Sequence, residues 1–266
     1  MPTDPTTSFP AHRLKDGAFS REEADVIVEE PLEIIVDGLS YATTMRTPGD
    51  DLALAAGFCL AEGLIDRAED LGSIQACEME DANQASVIRA GDHSPPEPRM
   101  KLPVASSCGL CGRDMIDDLL QRLPRIESDA GVSTADLLAL GRRLQEAQQL
   151  FRPTGGTHAA ALFDAGLELL SAAEDVGRHN ALDKAIGRLL LGRRLSDARI
   201  AVLSGRCSFE MVQKVARAGI PIVASVSAPT ALAIACAKRT GITLVGFLRR
   251  ETMTIYAGGE RIADLQ

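Results

Sequence analysis

"RIAVLSGRCSFEMVQKVARAGIPIVASVSAPTALAIACAKRTGITLVGFL", residues 199–248, alternates three β-rich apolar runs with two runs of helical composition. The apolar runs are RIAVLSG, IPIVASVS and ITLVGFL, and the helical runs between them are SFEMVQKVARAG and PTALAIACAKRTG. Strands that alternate with helices of this length are typical of βαβ units and a parallel sheet. The pattern therefore predicts an α/β domain in this part of the chain.

The segments that flank this alternation extend the predicted domain. THAAALFDAGLELLSAAEDVG (157–177) predicts two strands about an Asp-Ala-Gly turn, and RHNALDKAIGRLLLG (178–192) predicts a helix. Before them, STADLLALGRRLQEAQQL (133–150) places a serine cap at the start of another helix. A hairpin around YAGGER (256–261) is expected to close the chain, so that the domain covers residues 131–266.

Residues 25–130 are predicted to form a smaller, mainly antiparallel sheet domain with a helix. DVIVEEPLEIIVDGLSYATTMRT (25–47) alternates apolar and polar residues, and Asp37-Gly38 within it is a tight hairpin signal. A helical run follows and is expected to end at Gly63. The polar residues 1–24 are predicted to be a disordered tail.

Composition and charge exclude several classes of protein. The 266 residues include 45% hydrophobic and 24% charged residues, which is ordinary for a globular chain. A formal net charge of −9 argues against a duplex-binding protein, which usually carries a basic stripe. No apolar run reaches the roughly 18 residues of a membrane span, and the polar N-terminus lacks a signal-peptide core. We therefore expect a cytoplasmic protein that binds neither nucleic acid nor membrane.

Six cysteines are scattered along the chain without the spacing of a secreted disulfide framework. Cys59 and Cys236 lie in apolar helical runs, where a buried free thiol is expected. The scatter favours a reducing compartment.

One pair of cysteines is placed for chemistry. VASSCGLCGRDMIDDLL (104–120) holds Cys108 and Cys111 among glycines, just before a predicted helix over 113–123. A helix N-terminus favours the thiolate, which is the form that attacks sulfur. Cys108 is the expected nucleophile because it lies furthest from the helix. A structural zinc half-site, a thioredoxin-like redox pair and a thiol that carries sulfur are the three interpretations, and the lack of a second CxxC or an HxxxH motif counts against zinc.

A second group of candidates follows the predicted strands. LSGRCSFE (203–210) and SVSAPT (225–230) each join the end of a strand to the start of a helix. In open parallel sheets ligands bind outside the carboxyl ends of the strands, and helix N-termini there bind phosphate. These loops therefore predict a phosphate-bearing ligand, with ordinary serine caps as the alternative. The candidate ligand residues are Ser204, Gly205, Arg206, Ser225 and Ser227.

Two further turns carry polar residues that fit the same ligand. EDVGRHN (174–180) places Arg178 and His179 at the start of a predicted helix, and PTGGTHAAAL (153–162) places His158 at the start of a strand. A solvated helix start and a satisfied, partly buried histidine are the alternatives. We add these three residues to the candidate binding site.

Six motifs occur together in this order: SSCGLCG, TGGTHAAAL, EDVGRHNALDKAIG, SGRCSFEMVQKVARAGIP, SVSAPTALA and GITLVGFLR. Together they resemble the formate dehydrogenase accessory sulfurtransferase family (FdhD). The resemblance runs from about Glu29 to the C-terminus and includes EEPLEIIVDG (29–38) and ALAAGFCLAEGLI (53–65). One motif of this length is a weak signal, whereas six in order are specific.

The resemblance implies a sulfur carrier that accepts persulfide sulfur from a cysteine desulfurase on its CxxC loop, here Cys108 and Cys111. It also implies that this sulfur passes to the molybdenum (or tungsten) bis-molybdopterin guanine dinucleotide cofactor, bound as a substrate, before that cofactor enters formate dehydrogenase. The implied enzyme is a sulfurtransferase. A cofactor-binding chaperone that transfers no sulfur is the alternative.

The resemblance further implies a fold and a binding segment. The C-terminal half is expected to be cytidine-deaminase-like, a mixed sheet with flanking helices, so that the whole chain is α/β in the wide sense (α+β). A deaminase zinc site needs H-x-E followed by P-C-x-x-C, and the order of motifs here cannot build one, so no metal site is predicted. The family's cofactor-contacting segment matches Phe247, Leu248, Arg249, Arg250, Glu251 and Thr252.

The implied cofactor carries two guanine dinucleotide arms related by approximate two-fold symmetry. A C₂ dimer presents the same patch twice. We therefore expect a homodimer in which each subunit binds one guanosine diphosphate arm.

Overall fold

The computed structural model describes residues 4–76, 83–96 and 123–265. Twelve strands lie in these ranges: β1 Thr6–Lys15, β2 Ala18–Ile27, β3 Glu30–Val36, β4 Leu39–Arg46, β5 Leu71–Ala76, β6 Gln84–Arg89, β7 His158–Phe163, β8 Leu169–Asp175, β9 Ile200–Leu203, β10 Ile222–Ser225, β11 Thr243–Arg249 and β12 Thr252–Ala257. Six α-helices accompany them: α1 Asp51–Glu62, α2 Thr134–Ala147, α3 Phe151–Thr154, α4 Arg178–Leu191, α5 Phe209–Arg217 and α6 Ala231–Thr240. Among the helices of these ranges, none combines the length and the apolar character needed to span a membrane.

The larger sheet has six strands in the order β12-β11-β10-β9-β7-β8. β9, β10 and β11 run parallel, and β7, β8 and β12 add antiparallel pairs at the two sides. Strands β9 and β10 are buried along their whole length, which explains their continuous apolar sequence. The prediction of a mixed sheet with flanking helices is confirmed.

Helices cover both faces of this sheet. Along β9, Ala201 and Leu203 pack in the core that holds α4, α5 and α6, whereas Ile200 and Val202 pack in the core that holds α2. Successive side chains of a strand point to opposite faces. A four-residue apolar strand therefore supplies both cores.

The smaller sheet has the order β4-β3-β6-β5 and is antiparallel except for the β3–β6 pair. Leu32, Ile34 and Val36 alternate into the same core as α1. Both residues of the Asp37-Gly38 turn have positive φ, 51° and 79°, as two-residue hairpins require. This sheet matches the mainly antiparallel one that the sequence predicts.

The prediction of a disordered tail over residues 1–24 is wrong for the residues that the structure describes. Residues 6–27 form the antiparallel hairpin β1–β2, which turns at Asp16-Gly17 with φ of 53° and 81°. Both strands are largely exposed, so no apolar face marks them in the sequence. Asp16-Gly17 is itself a hairpin signal, but the polar composition around it favoured the prediction of disorder.

The closing hairpin also lies elsewhere than predicted. The chain turns between β11 and β12 at Arg250 and Glu251, whereas Gly259–Arg261 is a 3₁₀ turn. Arg250 takes a φ of 34°, a position where glycine is the usual residue. The tight turn therefore has no glycine signature.

Helices α1 and α4 are in backbone contact at two glycines. A Cβ added at Gly187 would lie 1.8 Å from the carbonyl oxygen of Ala53, and one added at Gly57 would lie 2.0 Å from that of Asp183. No side chain fits at either position without separating the helices. The contact holds the helix of the smaller sheet against the helix that follows β8.

A buried carboxylate joins the same two parts of the chain. Asp175 is fully buried, and one of its oxygens accepts from the backbone N–H of Thr47 (3.1 Å) and forms an ion pair with the Lys184 ammonium (2.7 Å). Its other oxygen accepts from the Gly177 N–H (2.8 Å) and from the Asn180 amide (3.0 Å). Lys184 also donates to the carbonyl of Thr47 at 2.7 Å. Breaking such a buried, paired charge is strongly destabilising.

We expect Gly187→Ala to lower the free energy of unfolding by about 1–3 kcal/mol, because the added methyl group must push α1 away from α4. The helix preference of alanine acts in the opposite direction and recovers at most about 1 kcal/mol. Denaturant unfolding of the two proteins measures the difference.

Gly141→Ala is the matched control, since Gly141 also lies inside a helix, α2. A Cβ there would meet the side chain of Leu248 at 3.1 Å, and a side chain can shift where a backbone cannot. Equal losses of stability in the two variants would contradict the backbone-contact explanation.

Candidate functional site

Five loops meet at one edge of the six-stranded sheet, which we call the carboxyl edge. β9, β10 and β11 end there, and the pairs Ala160–Leu203 and His158–Asp175 bring the start of β7 and the end of β8 to the same edge. Ligands of open α/β sheets bind at such an edge. The loops that form it are residues 155–158, 176–178, 204–208, 226–230 and 247–251.

Gly205 lies at the centre of this edge. A Cβ added to it would lie 3.2 Å from Nδ1 of His158 and 3.5 Å from Cδ of Arg178. Residues from β7, from the first turn of α4 and from the loop after β9 therefore converge on one point of backbone. The structure brings together these three predicted site residues, which are up to 47 positions apart in sequence, 158 to 205.

The carboxyl edge carries positive charge that the described residues do not neutralise. Within the described residues, Arg178 and Arg206 form no hydrogen bond or ion pair. Nε of Arg178 is buried and has no hydrogen-bond partner in those residues. Burial lowers the pKa of His158 below its usual value, and so do the neighbouring basic side chains, Arg178, His179 and Arg206. The Asp175 carboxylate opposes this shift. The arrangement suits an anionic ligand and leaves His158 neutral at pH 7 without one.

His179 is engaged by a carboxylate. Its Nε2 lies 2.8 Å from Oε2 of Glu210, without the alignment of a hydrogen bond. The contact links the first turn of α4 to the first turn of α5. His179 therefore lies at the candidate site as part of a pair, an ion pair when the imidazole is protonated.

Two helix N-termini at the carboxyl edge have no side-chain cap among the described residues. α4 begins after Gly177, and α5 begins after Ser208, whose buried hydroxyl has no partner there. α6 differs, because the Thr230 hydroxyl accepts from the N–H of Ala233 at 3.2 Å. The N–H groups of α4 and α5 are therefore the better placed to bind an anion.

The predicted serines have different roles. The Ser204 hydroxyl accepts from the N–H of Ala159 at 2.8 Å and keeps its own proton for a ligand. Ser225 is fully buried and donates to the carbonyl of Ser227 at 2.8 Å, so its predicted ligand role is replaced by a structural one. Ser227 is half-buried at the edge.

The predicted segment 247–252 contains a bulge between Gly246 and Arg249. Phe247 takes a φ of 53°, which is an outlier for an aromatic residue and often marks a functional position. The Arg249 guanidinium lies 5.9 Å from the Phe247 ring and donates to the carbonyl of Val226 at 3.2 Å. This ties the bulge to the loop after β10.

The side chains of this segment divide between the core and solvent. Leu248 is buried in the core beside α2, so the ligand contact predicted for it is replaced by a packing role. The others predicted with it are half-exposed or exposed: Phe247, Arg249, Arg250, Glu251 and Thr252.

Three residues that support the site were missed in the sequence. Asp175 and Thr47 hold the turn before α4, and Glu210 holds His179. Asp175 and Glu210 lie inside the quoted motifs EDVGRHN and LSGRCSFE, so their position was visible although their role was not. Nothing near Thr47 in the sequence points to a partner 128 positions away.

The predicted CxxC pair, Cys108 and Cys111, and the helix predicted after it lie outside the described residues. The three described cysteines are Cys59, Cys207 and Cys236, and all are buried. Burial raises the pKa of each thiol to about 12. They are therefore neutral thiols and poor nucleophiles.

Within residues 4–76, 83–96 and 123–265, no group of three or more His, Cys, Asp or Glu side chains could hold a metal ion.

Comparisons with known proteins give a consistent result. The model of the FdhD/NarQ family matches residues 27–263. A protein of Streptomyces coelicolor named sulfur carrier protein FdhD is 44% identical over 264 residues, covering 94% of this chain and 93% of that protein. A protein of the same name from Anaeromyxobacter dehalogenans is 43% identical, and the match covers 94% of this chain and 91% of that protein.

A solved structure has the same fold. It is the crystal structure of a candidate formate dehydrogenase accessory protein from Desulfotalea psychrophila, which is 28% identical in sequence. The TM-score is 0.78, and the match covers 97% of this chain and 100% of that one. The resemblance found in the six motifs is thereby confirmed.

We expect iodoacetamide at about pH 8 to leave Cys59, Cys207 and Cys236 unmodified in the folded protein, because a pKa of about 12 leaves roughly one thiol in 10⁴ ionised. Mass spectrometry of the digested protein measures each site. The same reagent after unfolding in urea should modify all three. Rapid modification in the folded state would contradict their burial.

Proposed function

Because the chain belongs to the FdhD/NarQ family, we propose that it is a sulfur carrier in the maturation of formate dehydrogenase. Relatives more than 40% identical carry the name sulfur carrier protein, and the solved structure with the same fold is a candidate formate dehydrogenase accessory protein. The Cys108–Cys111 pair of the sequence supplies the matching thiol chemistry.

In the proposed reaction, the Cys108 thiolate attacks the outer sulfur of a persulfide on a cysteine desulfurase. The sulfur–sulfur bond of the donor breaks, the donor cysteine leaves as a thiolate, and Cys108 holds the new persulfide. Cys111 supports the formation or release of this persulfide. The outer sulfur would then pass to the molybdenum (or tungsten) bis-molybdopterin guanine dinucleotide cofactor, the substrate of this sulfurtransferase. In that step the sulfur–sulfur bond of the persulfide breaks, Cys108 leaves as a thiolate, and the cofactor supplies the electron pair that reduces the transferred sulfur.

The observation that carries the cofactor half of the proposal is the approach of His158 and Arg178 to Gly205, the residue before Arg206. Arg178 and Arg206 are without partners in the described ranges. Arg178 is the first residue of α4, and Arg206 lies in the loop that leads into α5, so backbone N–H groups add to the attraction for phosphate. Arginine binds phosphate through charge-assisted, often bidentate hydrogen bonds. A guanosine diphosphate arm of the cofactor is the ligand proposed for this edge.

The remaining parts of the proposal concern assembly and location. A homodimer would present two carboxyl edges, one for each guanosine diphosphate arm. The proposed site of action is the cytoplasm, with the cysteine desulfurase as sulfur donor and formate dehydrogenase as client.

We expect Arg206→Ala to weaken the binding of guanosine diphosphate about ten-fold or more, because a charge-assisted hydrogen bond to phosphate contributes roughly 1.5–3 kcal/mol. Calorimetric titration measures the affinity. Arg239→Ala is the matched control, since Arg239 is exposed on the last turn of α6, away from the carboxyl edge. Unchanged affinity in Arg206→Ala would remove that residue from the site.

We expect incubation with a cysteine desulfurase and cysteine to add one sulfur atom to Cys108, because its position at a predicted helix start favours the thiolate. Peptide mapping by mass spectrometry locates the adduct. Cys108→Ala should lose both the adduct and the maturation of formate dehydrogenase, while Cys236→Ala, which changes a buried thiol, should keep both. Full maturation with Cys108→Ala would favour the chaperone alternative.

A further inference from the structure

We propose that His158 determines which ligand charge the carboxyl edge accepts: its neutral imidazole takes a proton from solvent when a diphosphate binds, so that it is an imidazolium in the complex. The inference rests on the proposed binding of a guanosine diphosphate arm and assigns a specific state to one of its contacts. It makes His158 a specificity residue for a multiply charged ligand.

His158 lies beside the loop that contains Gly205. It is the first residue of β7 and is half-buried, and its Nδ1 faces the backbone of Gly205, at 3.2 Å from where a Cβ would stand. The loop of Gly205 leads into α5, whose first turn has no side-chain cap among the described residues. An anion held by that loop and that helix start would therefore lie beside the imidazole ring.

Among the described residues, charged groups face His158 from three elements around it. Arg178 and His179 face it from α4, Arg206 from the loop after β9, and Asp175 from the end of β8. The Asp175 carboxylate already accepts three hydrogen bonds and forms an ion pair with the Lys184 ammonium. Its charge is therefore largely compensated.

Two other carboxylates near this edge are also occupied. Glu174 on β8 accepts from the N–H groups of Leu150 and Phe151, both at 2.8 Å, and from the Thr157 hydroxyl at 2.7 Å. Glu210 on α5 is paired with His179. The surroundings of His158 are consequently cationic.

The electrostatic potential at His158 changes sign when a diphosphate binds. Without ligand, burial and the three cationic neighbours hold the pKa of His158 below its usual value. A diphosphate among the same groups brings several negative charges close to the ring, and an adjacent negative charge favours the charged form of histidine. The pKa of His158 is thus higher in the complex than in the free protein, and binding takes up a proton.

The linkage has a definite direction. Affinity is greatest below the pKa of free His158 and falls as pH rises towards the higher pKa of the complex, by at most about ten-fold per pH unit. The terminal phosphate of the probe itself ionises near pH 6. Measurements between about pH 7 and 8.5 therefore isolate the histidine.

The test is calorimetric titration of guanosine diphosphate into the full chain at about pH 7.5, in phosphate-free buffers of different ionisation enthalpy. The dependence of the observed heat on the buffer gives the number of protons taken up. We expect between about one half and one proton per guanosine diphosphate bound. His158→Asn, which keeps a hydrogen-bonding group near the position of Nδ1, should bind more weakly and take up almost none. His12→Asn, which changes an exposed histidine of β1, should keep the uptake.

The outcomes separate this inference from the function on which it rests. Binding without proton uptake in the unmodified protein would overturn the role of His158 and leave the guanosine diphosphate site standing. Uptake that persists in His158→Asn would assign the proton to another group and would also overturn it. No binding at all would overturn the proposed site and this inference together. If His158→Asn does not fold, the affinity of the unmodified protein across the same pH range decides, and a flat profile overturns the proposal.

Discussion

The buried carboxylate of Asp175 is the constraint on which the arrangement of the molecule depends. A charge without access to water is stable only when it is paired and hydrogen-bonded. The three hydrogen-bond donors and the one ion-pair partner here come from the loop between β4 and α1, from the turn after β8 and from α4. No one element can satisfy the group alone. The smaller sheet and the larger one must therefore be assembled together, with the turn before α4 held in a single position.

The helix α4 transmits this constraint to the carboxyl edge. Its body is pressed against α1 at Gly187, where the backbones touch. A second buried pair, Lys214 with Asp183 at 2.7 Å, joins it to α5. Arg178, on the first turn of α4, consequently lies beside Gly205 on a helix that Asp175, α1 and α5 hold in place. The fold itself thus holds the backbone of Arg178 in place, which would reduce the entropy lost on binding the proposed anion.

Much of the fold could be predicted from sequence because its signals are local. The alternation of apolar and helical runs over 199–248 gave β9, β10 and β11, and Asp37-Gly38 gave a hairpin with the correct turn. The exposed β1–β2 hairpin was missed because no apolar face marks it. Within the candidate site, residue type and loop position predicted His158 and Arg178, which the structure places beside Gly205. They did not reveal the burial of Ser225 and Leu248, whose direction depends on neighbours that only the assembled sheet supplies.

The burial of Cys59, Cys207 and Cys236 limits the thiols to which a persulfide sulfur could move within the protein. Persulfide sulfur migrates to any accessible thiolate, so a carrier with several reactive thiols would scatter its cargo along its own chain. Here the fold keeps these three sulfurs protonated and screened by apolar side chains, and Cys207 is so screened although it adjoins Arg206. In the proposed transfer, the burial of these thiols would remove three positions at which a sulfur atom could be lost between donor and acceptor.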